Sequence, residues 1–221
     1  HPDKSAWFHC ARIHTIVEEG LLFLRVTIKS FIHTALFLLL ISLAGVSHAQ
    51  VPQIERDALV ALYNSTGGAN WSDNKGWMGA VGTECDWYGV TCSSGFVSKI
   101  SMSYNALSGS IPAELGNLTR LTYLNLGINS LSGSIPAWLG NRINLTDLRL
   151  NSNSLSGSIP AELGNLTNLT LLLLDNNSLS GSIPASLGNL TNLADLRLNS
   201  NSLSGSIPSE LGNLTNLSVL S

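Results

Sequence analysis

The chain has 221 residues, of which only 11% are charged, and its formal net charge is −3. It therefore lacks the basic excess that neutralises phosphates, which argues against nucleic acid as a partner. All five histidines precede residue 49, and the only later cysteines are Cys85 and Cys92. This excludes histidine-based catalytic triads and the usual cysteine and histidine zinc sites from the body of the chain. We expect neither an enzyme nor a cofactor or metal site.

The first 49 residues differ in composition from the rest and are interpreted as a leader. Lys29 precedes residues 30–49, which contain no Lys, Arg, Asp or Glu and end in Ser47-His48-Ala49. A basic start, an apolar centre and small residues at the end are typical of a secretory signal peptide, assigned here to residues 26–49. A retained membrane anchor is the alternative, but the apolar run falls short of the about 20 residues needed to span a bilayer.

Residues 1–25 show neither repeats nor consistent periodicity. They are interpreted as a sequence of doubtful translation upstream of a start near Val26, so that Cys10 would be absent from the secreted protein. The alternative is a fragment whose true start lies further upstream. The assigned leader predicts a protein that is secreted or displayed on the cell envelope.

Residues 50–96 are predicted to form an N-terminal cap. Residues 53–64 have helical spacing of apolar side chains: Ile54, Ala58, Leu59 and Leu62. Three tryptophans follow (Trp71, Trp77 and Trp87), and we expect them to cover the apolar end of the next segment, with a sugar-binding platform as the alternative. Cys85 and Cys92 enclose six residues, and the oxidising compartment behind a signal peptide predicts a disulfide between them.

Residues 97–221 are built from a repeat of constant length. The dipeptide Ile-Pro occurs at 111, 135, 159, 183 and 207, and residues 145–155 match L-x-x-L-x-L-x-x-N-x-L at every fixed position. A period in the twenties with leucines at fixed offsets is the signature of leucine-rich repeats. Five copies are present, and a sixth begins at Leu217 and breaks off at Ser221, so we expect further sequence beyond it.

The tract at 155–166, Leu-Ser-Gly-Ser-Ile-Pro-Ala-Glu-Leu-Gly-Asn-Leu, resembles the plant-type leucine-rich repeat family. Residues 85–92 likewise resemble the C-x-W-x-G-V-x-C pattern of that family's N-terminal cap. The resemblance implies an α/β-type solenoid: a superhelix with a parallel β-sheet on its concave side and a second short strand after each Leu-Ser-Gly turn. It specifies the fold and leaves the function open, because receptors, inhibitors and adhesion proteins share it.

Each fixed position in the repeat has a predicted structural role. Leu148 and Leu150 alternate along a short strand and point inward, whereas the residues between them point outward. Asparagines recur where the chain leaves each strand, and their amides can bond the backbone of their own turn and of the next, stacking into a ladder. They are Asn105, Asn129, Asn153, Asn177 and Asn201.

Departures from the repeat are the most informative positions on the predicted concave surface. Leu171 and Leu173 point outward where neighbouring strands carry charged residues, and an apolar centre with a charged rim is typical of a protein-binding site. The alternative is a drifted repeat whose exposed leucines have no role, and each Asp-Arg pair in the rim could simply neutralise itself. The predicted partner-binding residues are Tyr123, Asp147, Arg149, Leu171, Leu173, Asp175, Asp195 and Arg197.

Two further departures lie on the outer side of the solenoid. Trp138 replaces the Glu or Ser of the other repeats, and Arg142 replaces a leucine of the core column. We expect a local register adjustment that buries Ile143 and lets the Arg142 side chain reach solvent.

The leading functional hypothesis is a secreted or envelope-displayed module that binds a protein partner on its concave face. One alternative is an inhibitor of an extracellular polysaccharide-degrading enzyme, which would use Asp147, Arg149, Asp195 and Arg197. Another is the ectodomain of a membrane receptor whose remaining segments follow Ser221. Contact with a membrane is expected only through an uncleaved leader or such a C-terminal segment.

Overall fold

The computed structural model describes residues 50–221, so the predictions for residues 1–25, for the signal peptide at residues 26–49 and for Cys10 lie outside the described residues. A single α-helix in this range, α1 (Gln53–Ser65), opens the cap and is followed by short 3-10 helices at Gly68–Asn70 and Glu84–Asp86. None of the helices in residues 50–221 is both long and apolar enough to cross a membrane.

Twelve strands and five further 3-10 helices make up the rest of the described chain. The strands are β1 (Val90–Ser93), β2 (Phe96–Ser101), β3 (Ser108–Ser110), β4 (Tyr123–Asn125), β5 (Ser130–Ser134), β6 (Asp147–Arg149), β7 (Ser154–Gly157), β8 (Leu171–Leu173), β9 (Ser178–Gly181), β10 (Asp195–Arg197), β11 (Ser202–Leu203) and β12 (Val219–Leu220). The 3-10 helices are Ala113–Asn117, Ala137–Asn141, Ala161–Asn165, Ala185–Asn189 and Ser209–Asn213.

The strands form two sheets, as the plant-type resemblance implies. The concave sheet has the order β1-β2-β4-β6-β8-β10-β12, and the outer sheet has the order β11-β9-β7-β5-β3. Every pair is parallel except β1–β2, the antiparallel hairpin that joins the cap to the repeats. In the parallel part of the concave sheet, equivalent positions of successive repeats are direct neighbours, for example Leu124 and Leu148. One repeat is therefore one coil of a leucine-rich repeat solenoid.

Buried leucines fill the space between the two sheets and the 3-10 helices. In the coil that contains Leu148, Leu150 and Leu155, all three side chains are completely buried, as the alternation in the sequence predicts. Each coil buries its apolar face against the coils before and after it, so the repeats share one continuous core.

The asparagine ladder is confirmed and connects consecutive coils. The side-chain amide of Asn153 donates to the carbonyl oxygens of Leu126 at 3.0 Å and Leu150 at 3.1 Å, and its Oδ1 accepts from the backbone N–H of Leu131 at 2.9 Å. Asn129, Asn177 and Asn201 repeat the pattern. The carbonyls directly follow the concave strands, whereas the N–H group of Leu131 belongs to β5, and the amides supply partners that these buried groups need.

The cap covers the first coil with aromatic rings, and Cys85 and Cys92 form the predicted disulfide. Trp71, Trp77 and Trp87 are all buried, which supports core packing rather than a sugar platform. The Arg56 guanidinium lies 5.1 Å from the Trp87 ring centroid and forms an ion pair with the carboxylate of Glu84.

The buried face of α1 differs from the prediction by one position. Ala58, Leu59 and Leu62 are buried as expected, but Ile54 is 56% exposed and Glu55 is buried in its place. The Glu55 carboxylate accepts a hydrogen bond of 2.7 Å from the backbone N–H of Val97. Burial raises the pKa of Glu55, and this hydrogen bond opposes the rise. Glu55 thus ties the helix to the start of the repeats, a role that apolar spacing does not reveal.

The expected register adjustment at Arg142 and Ile143 is wrong. Ile143 is 57% exposed, and Arg142 keeps the position that buried leucines hold in the other repeats, at Leu118, Leu166, Leu190 and Leu214. The Nε and Nη1 atoms of Arg142 are buried and have no hydrogen-bond partner within residues 50–221. Burial lowers the pKa of Arg142. Backbone hydrogen bonds keep this coil in the register of the other repeats despite the substitution of leucine by Arg142. One of them runs from the N–H of Leu145 to the carbonyl of Arg142 at 2.8 Å.

Arg142→Leu should stabilise the protein, because it removes unpaired buried donors and restores the apolar column. We expect the free energy of unfolding to rise by about 1–3 kcal/mol, the usual cost of such unpaired groups. Urea unfolding followed by circular dichroism measures the change. Ile143→Leu, an apolar change at the exposed neighbour, serves as the control and should have little effect. A destabilised Arg142→Leu variant would show that Arg142 has a partner in the folded protein.

Candidate binding surface on the concave sheet

The concave sheet brings the predicted partner-binding residues into two adjacent rows. In the first row, Leu171 is the direct neighbour of Asp147 on one side and Asp195 on the other. In the second row, Leu173 lies between Arg149 and Arg197. Neighbouring strands are about 4.8 Å apart, so the side chains of these rows share one surface.

Leu171 and Leu173 are both half-buried, whereas Leu172 and Leu174 on the same stretch are completely buried. This alternation places two leucine side chains on the sheet surface and two in the core. We call Leu171 and Leu173 the leucine patch. It is an apolar strip one strand wide between charged strands, and beyond Asp195 the first row ends in Val219, which is 36% exposed.

The charged residues beside the leucine patch form two ion pairs, each within one strand. Arg149 donates from Nε and Nη2 to Oδ1 of Asp147, at 3.2 and 2.9 Å. Arg197 donates from Nε to Oδ1 of Asp195 at 3.0 Å and from Nη2 to Oδ2 at 2.9 Å. The hydrogen bond to Asp195, with the charge of that carboxylate, raises the pKa of Arg197. Both pairs flank the leucine patch and neutralise themselves, as the sequence suggested.

Tyr123 and Asp175 lie at the edges of this surface. The Arg149 guanidinium lies 5.5 Å from the Tyr123 ring centroid. The Tyr123 ring therefore extends the first row toward the N-terminal cap. Asp175 follows β8, and its charge also raises the pKa of Arg197. Its Oδ2 accepts from the amide of Asn176 at 2.7 Å, and its Oδ1 has no partner within residues 50–221. These residues comprise three carboxylates and two guanidinium groups, and the row continues beyond Tyr123 to the exposed Lys99, so the carboxylate without a cation beside it is that of Asp175.

The sequence analysis did not predict two exposed apolar residues, Tyr104 and Ile128. Tyr104 is 81% and Ile128 is 50% exposed, and they occupy equivalent turn positions in adjacent coils. Both have left-handed backbone conformations, with φ of 55°, where the later repeats carry Ser152, Asn176 and Ser200. A β-branched residue is strained at positive φ, so Ile128 is costly to keep there. The only indication in the sequence is that a bulky residue stands at a turn position where the later repeats have small polar residues.

Comparisons with known proteins agree with this architecture. The leucine-rich repeat ectodomain of the plant membrane receptor kinase GASSHO1/SCHENGEN3 from Arabidopsis thaliana was solved in complex with CASPARIAN STRIP INTEGRITY FACTOR 2. It has a TM-score of 0.68 and 36% identity, over 76% of this chain and 20% of that one. A plant ice-binding protein has a TM-score of 0.68 and 31% identity, over 77% of this chain and 58% of that one.

A probable inactive receptor kinase of Arabidopsis thaliana is 41% identical over 92 residues, which are 41% of this chain and 13% of that protein. The chain therefore spans a small part of the receptor kinases that it resembles. A family model described as a leucine-rich repeat region matches residues 100–221. This chain belongs to the leucine-rich repeat family.

Proposed function

We propose that this protein is a non-enzymatic, extracellular binding module that holds a peptide or protein ligand on its concave sheet. The observation that carries the proposal is the leucine patch between two ion pairs that already neutralise themselves. Ligand binding would bury the leucines without separating either pair, so the apolar contact is gained at little electrostatic cost.

The charge distribution also describes the ligand. Asp175 is the carboxylate of this surface that has no ion-pair partner within residues 50–221, and Lys99 lies at the opposite end of the rows. A ligand that fits has an apolar side chain for the leucine patch and a basic group directed toward Asp175. An extended segment suits these rows, because its alternate side chains can follow successive strands.

Two features support placement outside the cell. The Cys85–Cys92 disulfide needs an oxidising compartment, and the similar GASSHO1/SCHENGEN3 structure is an ectodomain with a bound factor. The sequence of residues 26–49 is typical of the signal peptide that such export requires. A receptor ectodomain and a secreted module are both compatible with this proposal. The inhibitor alternative gains no support, because the four charged residues that it would use are engaged with each other.

Peptide display tests the proposal without knowledge of the natural ligand. A random peptide library is selected on the wild-type chain, and the enriched peptides are aligned. We expect enrichment of an apolar residue with a basic residue nearby, and competition among the peptides for one site. Enrichment of acidic peptides, or of peptides that do not compete, would contradict the concave-sheet assignment.

We propose adsorption to ice as a second candidate function. It is favoured by the likeness to a plant ice-binding protein and by the outer sheet, whose exposed side chains are almost all serine. This sheet lies apart from the leucine patch, so the two functions do not compete for the same residues.

A further inference from the structure

The outer sheet, β3, β5, β7, β9 and β11, presents serine hydroxyls to solvent in every coil. We call it the serine sheet. The segment Ser-Leu-Ser-Gly-Ser occupies residues 130–134, 154–158, 178–182 and 202–206, and all three serines of each copy are exposed. The leucine between them points into the core and is buried in the first three copies. The exposed face of this sheet therefore contains hydroxyl groups and backbone only.

The strand register arranges these serines in a grid. Residues paired across neighbouring strands of this sheet are separated by fewer residues than one full repeat. As a result, Ser132 pairs with Ser154, and Ser156 pairs with Ser178. Serine therefore faces serine across each strand pair. Neighbouring strands are about 4.8 Å apart, and alternate residues along a strand are about 6.6 Å apart. The result is a two-dimensional lattice of hydroxyls over five strands.

The fold itself does not require these serines. The buried leucine fills the core, and the glycine has a positive φ, 79° at Gly157, which favours glycine. The serine hydroxyls have no comparable role: Ser132 donates to the carbonyl of Gly109 at 3.2 Å, but Ser156 and Ser180 make no equivalent bond within residues 50–221. The concave rows meanwhile differ from coil to coil. The serines that flank Leu-Ser-Gly in each copy, for example Ser154 and Ser158, occupy positions that the plant-type repeat leaves free, yet they are serine in all four copies. Serine at these free positions in every copy favours a partner with the same periodicity.

The chemistry of the serine sheet restricts that partner. The five strands carry no ionisable residue, so charge plays no part in recognition. A single peptide, or a protein surface without repeats, has no two-dimensional repeat that matches five equivalent strands. Ice has one: it is neutral, it donates and accepts hydrogen bonds at every site, and equivalent oxygens along one of its axes are spaced much like neighbouring strands.

We infer that the serine sheet is the surface that adsorbs to ice, with the hydroxyl rows aligned to water positions in the crystal. This inference rests on the second function proposed above and assigns it to particular residues. It leaves the concave sheet free to hold a ligand at the same time.

The test substitutes two serines at the middle of the grid. Ser156→Lys with Ser180→Lys places long charged side chains above the surface, where they hold the sheet away from a flat crystal. Both positions are exposed, and they are not direct strand partners, so the two charges do not oppose each other. Ser156→Thr with Ser180→Thr is the matched control, because it keeps both hydroxyls in a strand-compatible side chain. Circular dichroism verifies that each variant is folded.

The measurement is the fraction of protein that enters ice grown slowly from solution. We expect wild type and the threonine variant to enter the ice, and the lysine variant to enter at least about tenfold less, as for a loss of tenfold in affinity. Wild type that stays in the liquid would refute ice adsorption and this inference together. Equal entry of wild type and the lysine variant would leave ice adsorption standing and show that another surface is responsible. Binding to cellulose or chitin powder instead of ice would show that the periodic partner is a polysaccharide.

Discussion

Replacing Leu171 and Leu173 together with aspartate should abolish binding of the display-selected peptides to this protein. The apolar centre of an interface contributes most of the binding energy, and each substitution places a charge there. A loss of about 2 kcal/mol or more at each site, about 4 kcal/mol for both, corresponds to a dissociation constant raised about 700-fold or more. Titration of a labelled peptide against wild type and variant, followed by fluorescence anisotropy, measures the change.

The fold should survive the double substitution, because both leucines lie on the sheet surface while Leu172 and Leu174 fill the core. Ile143→Asp is the matched control, since it puts the same charge at an exposed apolar residue outside the concave sheet. Peptides that bind the double variant as tightly as wild type would show that the leucine patch is a drifted repeat without a role.

Replacing Asn153 with alanine should destabilise the protein strongly. Its side chain bonds Leu126, Leu150 and Leu131. Alanine leaves the backbone N–H of Leu131 without this acceptor, and it removes one of the two amide donors to each carbonyl, the other being Asn129 for Leu126 and Asn177 for Leu150. We expect a loss of about 2–3 kcal/mol in the free energy of unfolding, from one backbone N–H left unpaired and two further hydrogen bonds lost. Urea unfolding at constant pH provides the measurement.

Asn199→Ala is the matched control for the ladder. The Asn199 amide is exposed and makes a single long bond of 3.4 Å, to Oγ of Ser200. This substitution should cost well under 1 kcal/mol, as is usual for exposed positions. An Asn153→Ala variant that loses no more stability than Asn199→Ala would contradict a structural role for the ladder.

Most of the fold follows from the repeat, because each of the five copies places the same residue types at the same positions of its coil. The leucine alternation, the asparagine ladder and the Cys85–Cys92 disulfide could all be predicted from residue type and spacing. The concave rows were predictable as well, since a constant period that matches the coil brings equivalent positions into register.

Other features depend on packing that the sequence pattern does not contain. The serine sheet pairs at an offset shorter than the repeat, with Ser132 beside Ser154, and the period alone gives no reason for that shift. Glu55 is buried because Val97 supplies a partner from another segment, a contact that the helix sequence cannot show. Arg142 keeps its place because the coil is held by many hydrogen bonds, and one unfavourable side chain does not outweigh them.

Photo-crosslinking tests binding on the concave sheet most directly. A benzophenone amino acid replaces Tyr123 in one variant and Trp138 in another, so that an aromatic residue is exchanged in both cases, on the concave sheet and on an outer 3-10 helix. Each variant is irradiated with a display-selected peptide, and the products are identified by mass spectrometry. Binding on the concave sheet predicts a crosslinked product from position 123 and none from position 138. A product from position 138 alone would contradict it.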